Sequence, residues 1–348
     1  MRIGFLVNDV DTEVAVAATT VMAHSAAALD HTVYMFGATD LTYRSEGGIG
    51  ALARKAPEGG GGSQEAFLAA IQGRDAERVP ITAADMDVLY LRYNPGESPT
   101  EKPWEYDSGY IFGQMAVLEG VIVLSHPFTL AYAINKMYLE HFPAEIRPKT
   151  LITRNYDEVA RFHEEHKGKI VVKPLRGYGG QDVYMVKKDA DNLRQIVESI
   201  CRNSFVIAQE FLPEAKDGDI RLFLFNGKPL VVDGKYAALR RVNASGDFRS
   251  NMTAGGRPEK AEITPKILEI AEILRPRLLA DGIFDVGIDI VGDKLVEINS
   301  ISSGGLNAAG RLEGVDFGQA VVCMIERKVN HRRLYGQQLR NRALAVMD

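Results

Sequence analysis

The sequence predicts an α/β domain followed by α+β units, on three observations. Residues 3–8 (IGFLVN) and 31–37 (HTVYMFG) are short apolar runs flanking an alanine-rich segment, 15–29, which gives an opening β-α-β unit. From about residue 128 the order changes to helices and then consecutive strand candidates, FVIAQEFL, DIRLFLF and PLVVDGKYAALRRV. Apolar residues make up 46% and charged residues 25% of a 348-residue chain, a globular composition that disfavours disorder, a coiled coil or a fibre.

Taken in order, the first strand ends at the turn-prone Asn8-Asp9, and the helix after it is weakened by its valines and threonines. Residues 45–63, with glycines from Gly59 to Gly62, are expected to form a loop. VLYLRY (88–93) is a strand, and the prolines of the 94–107 segment oppose regular structure. A helix over 110–119 and a strand VIVLS (121–125) complete a parallel-sheet domain over 1–127. TLAYAINKMYLEHF reads as one helix, followed by strand KTLITR, amphipathic helix YDEVARFHEEH, strands KIVVKPL and VYMVKK, and helix DNLRQIVESI. These make a small α+β lid over 128–208. The third unit, 209–348, holds an antiparallel sheet, a helix PKILEIAEILRPRLLADG kinked at Pro276, strands IFDVGIDIV and KLVEINS, and terminal helices.

Lys plus Arg total 41 against 46 Asp plus Glu, a formal charge of −5 with a pI near 5.9. A mildly acidic chain is poorly suited to coating nucleic acid. The basic end, from Arg327 to Arg342, is expected to be a solvated helix face. No apolar run is long enough for a transmembrane helix, so no membrane partner is expected. The first ten residues read as a strand and not as a signal peptide. Two cysteines, Cys201 and Cys323, fit a reducing, cytoplasmic setting. The histidines show no metal-ligand spacing; His163 and His166 are expected on one exposed helix face.

Three constellations carry chemistry. Lys173 is delivered by a strand into Gly177-Tyr178-Gly179-Gly180, a turn able to present backbone N–H groups to phosphate oxygens beside a compact positive charge. It matches neither GxGxxG nor GxxxxGK[ST], and alone it equally describes a glycine-rich hairpin loop. Asp289 lies on the acidic or small face of FDVGIDIV, and Glu297 and Asn299, two apart, share a face of the next strand. A three-residue turn at 292–294 sets Asp289 opposite Glu297, whereas a two-residue turn sets them on opposite faces. Two carboxylates and an amide are hard oxygen donors suited to Mg2+, the alternative being a solvated hairpin. Arg221, Arg240, Arg241, Arg249 and Arg257 form a basic group able to neutralise phosphate or clamp a carboxylate, and Asp219 shares a strand face with Arg221.

The ordered series INKMYLEHFP, KTLITRN, IVVKPLRGYGG, IAQEFLPEAKDGDIRLFLFNGKP, ALRRVNASGDFRSNMTAGGR and GIFDVGIDIVGDKLVEINSISS resembles the ATP-grasp superfamily, and within it bacterial glutathione synthetase. The resemblance runs from about residue 120 to 300. It implies an ATP-grasp fold with an N-terminal parallel-sheet domain, a small lid and a C-terminal antiparallel-sheet catalytic domain. It implies that Lys136 and Lys173 bind ATP, that Gly177, Tyr178, Gly179 and Gly180 form a flap over the phosphates, that Glu210, Phe211 and Leu212 flank adenine, and that Asp219 lies near the ribose. Arg221, Arg241 and Asn251 would contact phosphate or the reaction intermediate, and Asp289, Glu297 and Asn299 would hold Mg2+, or Mn2+ in its place.

The activity implied is ATP-dependent ligation of a carboxylate to an amine through an acyl phosphate. The chain departs from the family where substrates are contacted. DVDTEVAVA follows the first strand in place of a lysine–aspartate pair, Arg92-Tyr93-Asn94-Pro95 replaces an arginine-lysine-aspartate-proline segment, and Ser302-Ser303-Gly304-Gly305 replaces a serine-proline-threonine run. Arg92, Ser302, Ser303 and Gly304 are the substrate-side candidates. γ-Glutamylcysteine with glycine, another amino-acid or dipeptide pair, and a non-catalytic nucleotide-binding regulator are the readings left open. Small-molecule carboxylate and amine partners and a dimer or tetramer follow from the same resemblance.

Overall fold

A computed structural model describes residues 1–97, 102–177, 179–243 and 255–348. Tyr178 and Asn251 therefore lie outside the described residues. The chain opens with β1 (Arg2–Val7), α1 (Ala18–Ala28) and β2 (Thr32–Gly37), and β1 and β2 pair in parallel as the sequence predicts. β3 (Leu41–Arg44) and β4 (Gly48–Lys55) follow, then α2 (Gln64–Gln72), β5 (Arg78–Thr82), β6 (Val88–Leu91), α3 (Glu105–Leu118) and β7 (Ile122–Leu124). The sheet order is β3-β4-β2-β1-β6-β7, with β5 paired to β4.

Residues 45–63 are thus not only a loop, because β4 occupies their first half. Its small residues let strands approach closely: a Cβ on Gly50 would stand 2.4 Å from the Ile81 carbonyl oxygen. The helix expected over 110–119 starts five residues earlier, inside the proline-rich segment but beyond its last proline.

The stretch expected as one helix over residues 129–142 is two. α4 (Pro127–Ala133) stops, and a 3-10 turn Lys136–His141 follows. Asn135 divides them, its side-chain oxygen accepting from Met137 N at 3.0 Å, a local bond that competes with helix continuation. The break turns Lys136 toward the glycine turn.

Next come β8 (Thr150–Thr153), α5 (Tyr156–Glu165), β9 (Ile170–Pro174), β10 (Tyr184–Val186), α6 (Leu193–Cys201) and β11 (Val206–Glu210), making an antiparallel sheet in the order β10-β9-β11-β8. The amphipathic face of α6 (Leu193, Ile196, Val197, Ile200) buries against Val159, Ile170, Val172 and Val206, a core of this unit's own.

The third unit is built on β12 (Asp219–Phe225), β13 (Ala238–Val242) and β14 (Arg257–Glu259), then α7 (Pro265–Asp281), β15 (Asp285–Val291) and β16 (Lys294–Asn299). Its sheet runs β14-β13-β12-β15-β16, all antiparallel, with the short strand Lys228–Pro229 on β12. α7 runs through Pro276 and ends at Gly282 in the left-handed region, φ +70°. α8 (Leu306–Glu313), α9 (Phe317–Tyr335) and α10 (Asn341–Leu344) close the chain.

The first and third sheets share two apolar cores, and a polar bolt crosses between them. Arg92, just after β6, donates from Nη1 to Asp285 Oδ2 at 2.6 Å and from Nε to Thr19 Oγ1 at 3.1 Å. Only 2% of its side chain and 6% of that of Asp285 are exposed. Arg92 also lies 5.3 Å from the Tyr90 ring centroid. The expectation that Arg92 binds a substrate carboxylate is corrected accordingly, since a carboxylate of the chain itself holds it.

Removing one partner of such a buried pair strands the other charge, typically at about 3–5 kcal/mol. Arg92→Ala is expected to lower unfolding free energy by that amount in urea titration. ATP affinity of the folded fraction should be unchanged.

Candidate active site

The register of the third sheet lines up the polar side chains of one face. Asp219 pairs across with Arg241, Arg221 with Asp289, and Asp289 with Glu297. The turn after β15 has two residues, because Val291 pairs with Lys294. On the alternation rule alone that turn would put Glu297 on the face opposite Asp289. A bulge between Ile290–Leu295 and Asp289–Glu297 inserts Val296 as an extra residue and restores the parity. Asp289, Glu297 and Asn299 therefore do share a face, by a two-residue turn plus a bulge and not by the three-residue turn.

Asp289 is 1% exposed. Arg221 grips it with Nε and Nη2, both at 2.7 Å, and Arg241 Nη2 stands 2.7 Å from Oδ2. Burial alone would raise its pKa, but the two guanidiniums outweigh it and hold the carboxyl well below its ordinary value. Arg241 is in turn bound by Asp219, which is 4% exposed. Asp219 thus orients Arg241.

Lys173, on β9, is buried and donates to Gln209 Oε1 at 3.1 Å. Burial pushes its pKa down to about 8, Glu297 opposes that shift and Lys136 adds to it. Lys136 Nζ donates to Gly177 O at 2.5 Å and lies 3.9 Å from Glu297 Oε1. It links the glycine turn to the β16 carboxylate.

Two adjoining cavities meet here. One, about 150 Å3, is lined by Lys173, Gly180, Glu210, Phe211, Leu212 and Asp289 among others. The other, about 310 Å3, is lined by Arg221, Asn299, Ser302, Ser303 and Gly304, with Asn94 and Tyr106 from the first unit. Lys136, Gly177, Gly179, Arg241 and Glu297 line both.

Arg176 carries a signal the sequence reading passed over. It lines the larger cavity, stacked 4.6 Å over the Tyr106 ring centroid, and so bridges the glycine turn to α3. A guanidinium beside a glycine flap was visible in the sequence, but its partner lies 70 residues earlier, beyond any local pattern.

The donor set fits a magnesium ion: two carboxylates and an amide on one face, one carboxylate held ionised, with two lysines nearby for phosphate oxygens. No group of three or more His, Cys, Asp or Glu suited to a metal occurs among the described residues, so an all-protein cage is not what the site offers.

An antiparallel sheet with acids and arginines on one face, a lysine-bearing strand with a glycine turn, and two cavities joined at that turn define the ATP-grasp class of folds. The family model for the prokaryotic glutathione synthetase ATP-grasp domain matches residues 135–314, and the chain belongs to that family. It is 38% identical over 220 residues to glutathione synthetase of Yersinia pestis, a match covering 63% of this chain and 65% of that one. With the Agrobacterium fabrum glutathione synthetase it is 36% identical over 261 residues, covering 73% and 75%.

Solved structures show the same fold at lower identity. The macrocyclase MdnC of Microcystis aeruginosa, bound with its precursor peptide, gives a TM-score of 0.62 at 14% identity, covering 94% of this chain and 100% of that one. The ATP-grasp ligase PsnB, complexed with precursor, Mg and ADP, gives 0.57 at 18%, covering 93% and 97%.

Protonated Lys173 is the form that attracts phosphate, so ATP binding should take up a proton when the pH lies above about 8. Calorimetry at pH 8.5 in two buffers of different ionisation enthalpy should show that uptake, and Lys173→Met should abolish it together with most of the affinity. Equal heats in the two buffers for the unaltered protein would reject the assignment. Affinity should fall as pH rises past 8, by up to about tenfold per unit.

Proposed function

We propose that the chain is an ATP- and Mg2+-dependent carboxylate–amine ligase whose reaction is the synthesis of glutathione from γ-glutamylcysteine and glycine. The observation that carries this reading is the wall common to the two cavities, where Lys136, Gly177, Gly179, Arg241 and Glu297 face both. A nucleotide in the smaller cavity would present its γ-phosphoryl group at that wall, and a carboxylate in the larger one would meet it there.

A carboxylate oxygen attacks the γ-phosphorus and the bond to the β-phosphate bridge breaks, leaving ADP and an acyl phosphate. The amine nitrogen then attacks the acyl carbon, the carbon–oxygen bond to phosphate breaks, and the amine gives up a proton to leave an amide. Mg2+, when bound by Asp289, Glu297 and Asn299, would supply charge neutralisation to the phosphate oxygens. Lys136 and Lys173 bind and orient the same oxygens, and Gly177 to Gly180 cover them and exclude water. Glu210, Phe211 and Leu212 take the adenine, and Asp219, on the same cavity, lies near the ribose while it orients Arg241. Asn251 keeps the intermediate-contacting role, and Tyr178 its place in the flap.

Arg176 is the residue we assign to the substrate carboxylate, with Ser302, Ser303 and Gly304 beside it. Arg92 is buried in its pair with Asp285, and Arg221 and Arg241 are committed to acids, whereas Arg176 lines the cavity against a neutral ring.

We also propose three units, with boundaries near 127 and 208, each carrying one of the large sheets. Exposed apolar side chains on α3 and α4 (Ile111, Leu118 and Phe128) support a homo-oligomer, dimer or tetramer. Cys201 and Cys323 are free, which supports a cytoplasmic setting. No described helix is long and apolar enough to cross a membrane.

The test is ATP-dependent phosphate release with product mass, run over a matrix of carboxylates and amines. Glutathione in the γ-glutamylcysteine plus glycine well is the expected outcome, and a different amide there or elsewhere alone would replace the substrates while keeping the reaction. Glu297→Gln should lower turnover about 100-fold and raise the magnesium requirement. Arg176→Ala should raise KM for the carboxylate about tenfold with KM for ATP unchanged, and a rise in both would place Arg176 at the nucleotide instead.

A further inference from the structure

The basic end of the chain is not a plain solvated helix face. A cavity of about 530 Å3 lies where α9 and α10 meet the turn between β7 and α4, and it shares no lining residue with the two cavities of the active site. Three guanidiniums line it: Arg332 from α9, Arg340 at the N-cap of α10, and Arg342 within α10. No Asp or Glu lines it, and none of the three forms an ion pair with a carboxylate among the described residues.

Nearby acids are spent elsewhere. Glu119 accepts from Ile49 N at 3.1 and 3.2 Å, and Asp281 accepts from Tyr138 Oη and Arg277 Nε at 2.8 and 2.6 Å. Arg332 is half-buried and donates from Nη1 to Gln337 Oε1 at 2.5 Å, but its Nε is buried with no partner.

The rest of the wall is neutral and fixed. Asn341 clasps the edge strand β7, its Oδ1 accepting from Val123 N at 2.8 Å and its Nδ2 donating to Val123 O at 3.0 Å. The same Nδ2 stands 3.1 Å from His126 Nδ1, which places the ring proton on Nε2. Burial first, and Arg342 second, depress the His126 pKa to about 4, so the ring adds a neutral N–H and no charge.

Like charges brought together around one cavity repel, and no carboxylate among the described residues pairs with any of the three. A single carboxylate satisfies one guanidinium fork, whereas the oxygens of a dianionic phosphoryl group accept from several forks at once. The volume leaves room for more than the phosphoryl group.

We propose that this cavity binds a small phosphate-bearing metabolite, with Arg332, Arg340 and Arg342 taking the phosphate oxygens. The site is separate from ATP binding and does not depend on the ligase reading.

The experiment uses the full chain, with inorganic phosphate and glycerol 3-phosphate as probes, and compares it with Arg340→Gln/Arg342→Gln, two exposed substitutions. Calorimetry at constant ionic strength should show at least a tenfold loss of affinity for one class of phosphate site in the double variant, with ATP affinity retained. Crystals soaked in tungstate should show anomalous density within reach of the three guanidiniums. In phosphate-free buffer the variant should melt at or above the temperature of the unaltered protein, because a repulsion has been removed, and phosphate should no longer raise it.

Equal affinity and stoichiometry in both proteins, or tungstate confined to the nucleotide cavity, would overturn the proposal. A variant that melts lower in both buffers would also overturn it, making the arginines structural. Tighter binding of the ester than of free phosphate, or the reverse, names the source of the phosphoryl group, and either supports the site.

Discussion

The buried carboxylate of Asp289 organises the polar face of the third sheet. A lone ionised acid in such a place is unstable against protonation or rearrangement, and two arginines fix it by different routes. Arg221 reaches it from the paired position on β12, whereas Arg241 reaches it from β13, already oriented by Asp219. The result is an alternating row of charge across three strands, each member limiting the rotamers of the next. Glu297 extends that row to β16, and Lys136 ties it to the glycine turn. Charge placement on this face is therefore a property of strand register more than of any loop.

The other unit that frames the site is independent in its packing. The β8–β11 sheet with α5 and α6 has its own apolar core, whereas the first and third sheets share theirs and are pinned by Arg92–Asp285. Lys173 and the glycine turn belong to the former, Asp289 and Glu297 to the latter. The site is assembled where a separately packed unit faces a joined pair, and the polar threads crossing that boundary include Lys136 to Glu297 and Arg176 to Tyr106.

Much of this was legible in the residue order. Short apolar runs marked β1, β6, β7 and β12, alternation with period two marked β15, and the strand–lysine–glycine succession at 170–180 marked a candidate phosphate-binding turn without any structure. Long-range pairing was not legible. Nothing near Arg92 announces Asp285, 193 residues on, so a plausible substrate residue proved to be a bolt. The break at Asn135 was hidden because a helical pattern continues on both sides of it. β4 was hidden because its glycines and alanines read as a loop until a partner strand needs the space. The face shared by Asp289 and Glu297 was anticipated for the wrong reason, since a bulge is not encoded in alternation.

That bulge gives the hairpin a parity. With β15 and its turn fixed, each residue added or lost between Gly292 and Glu297 moves Glu297 and Asn299 together to the reverse side of the sheet, and a second change brings them back. Only an even number of such changes keeps Glu297 and Asn299 on the face of Asp289. An alignment that slides a single gap through it would misassign both oxygen donors at once while leaving every apolar residue in a plausible strand.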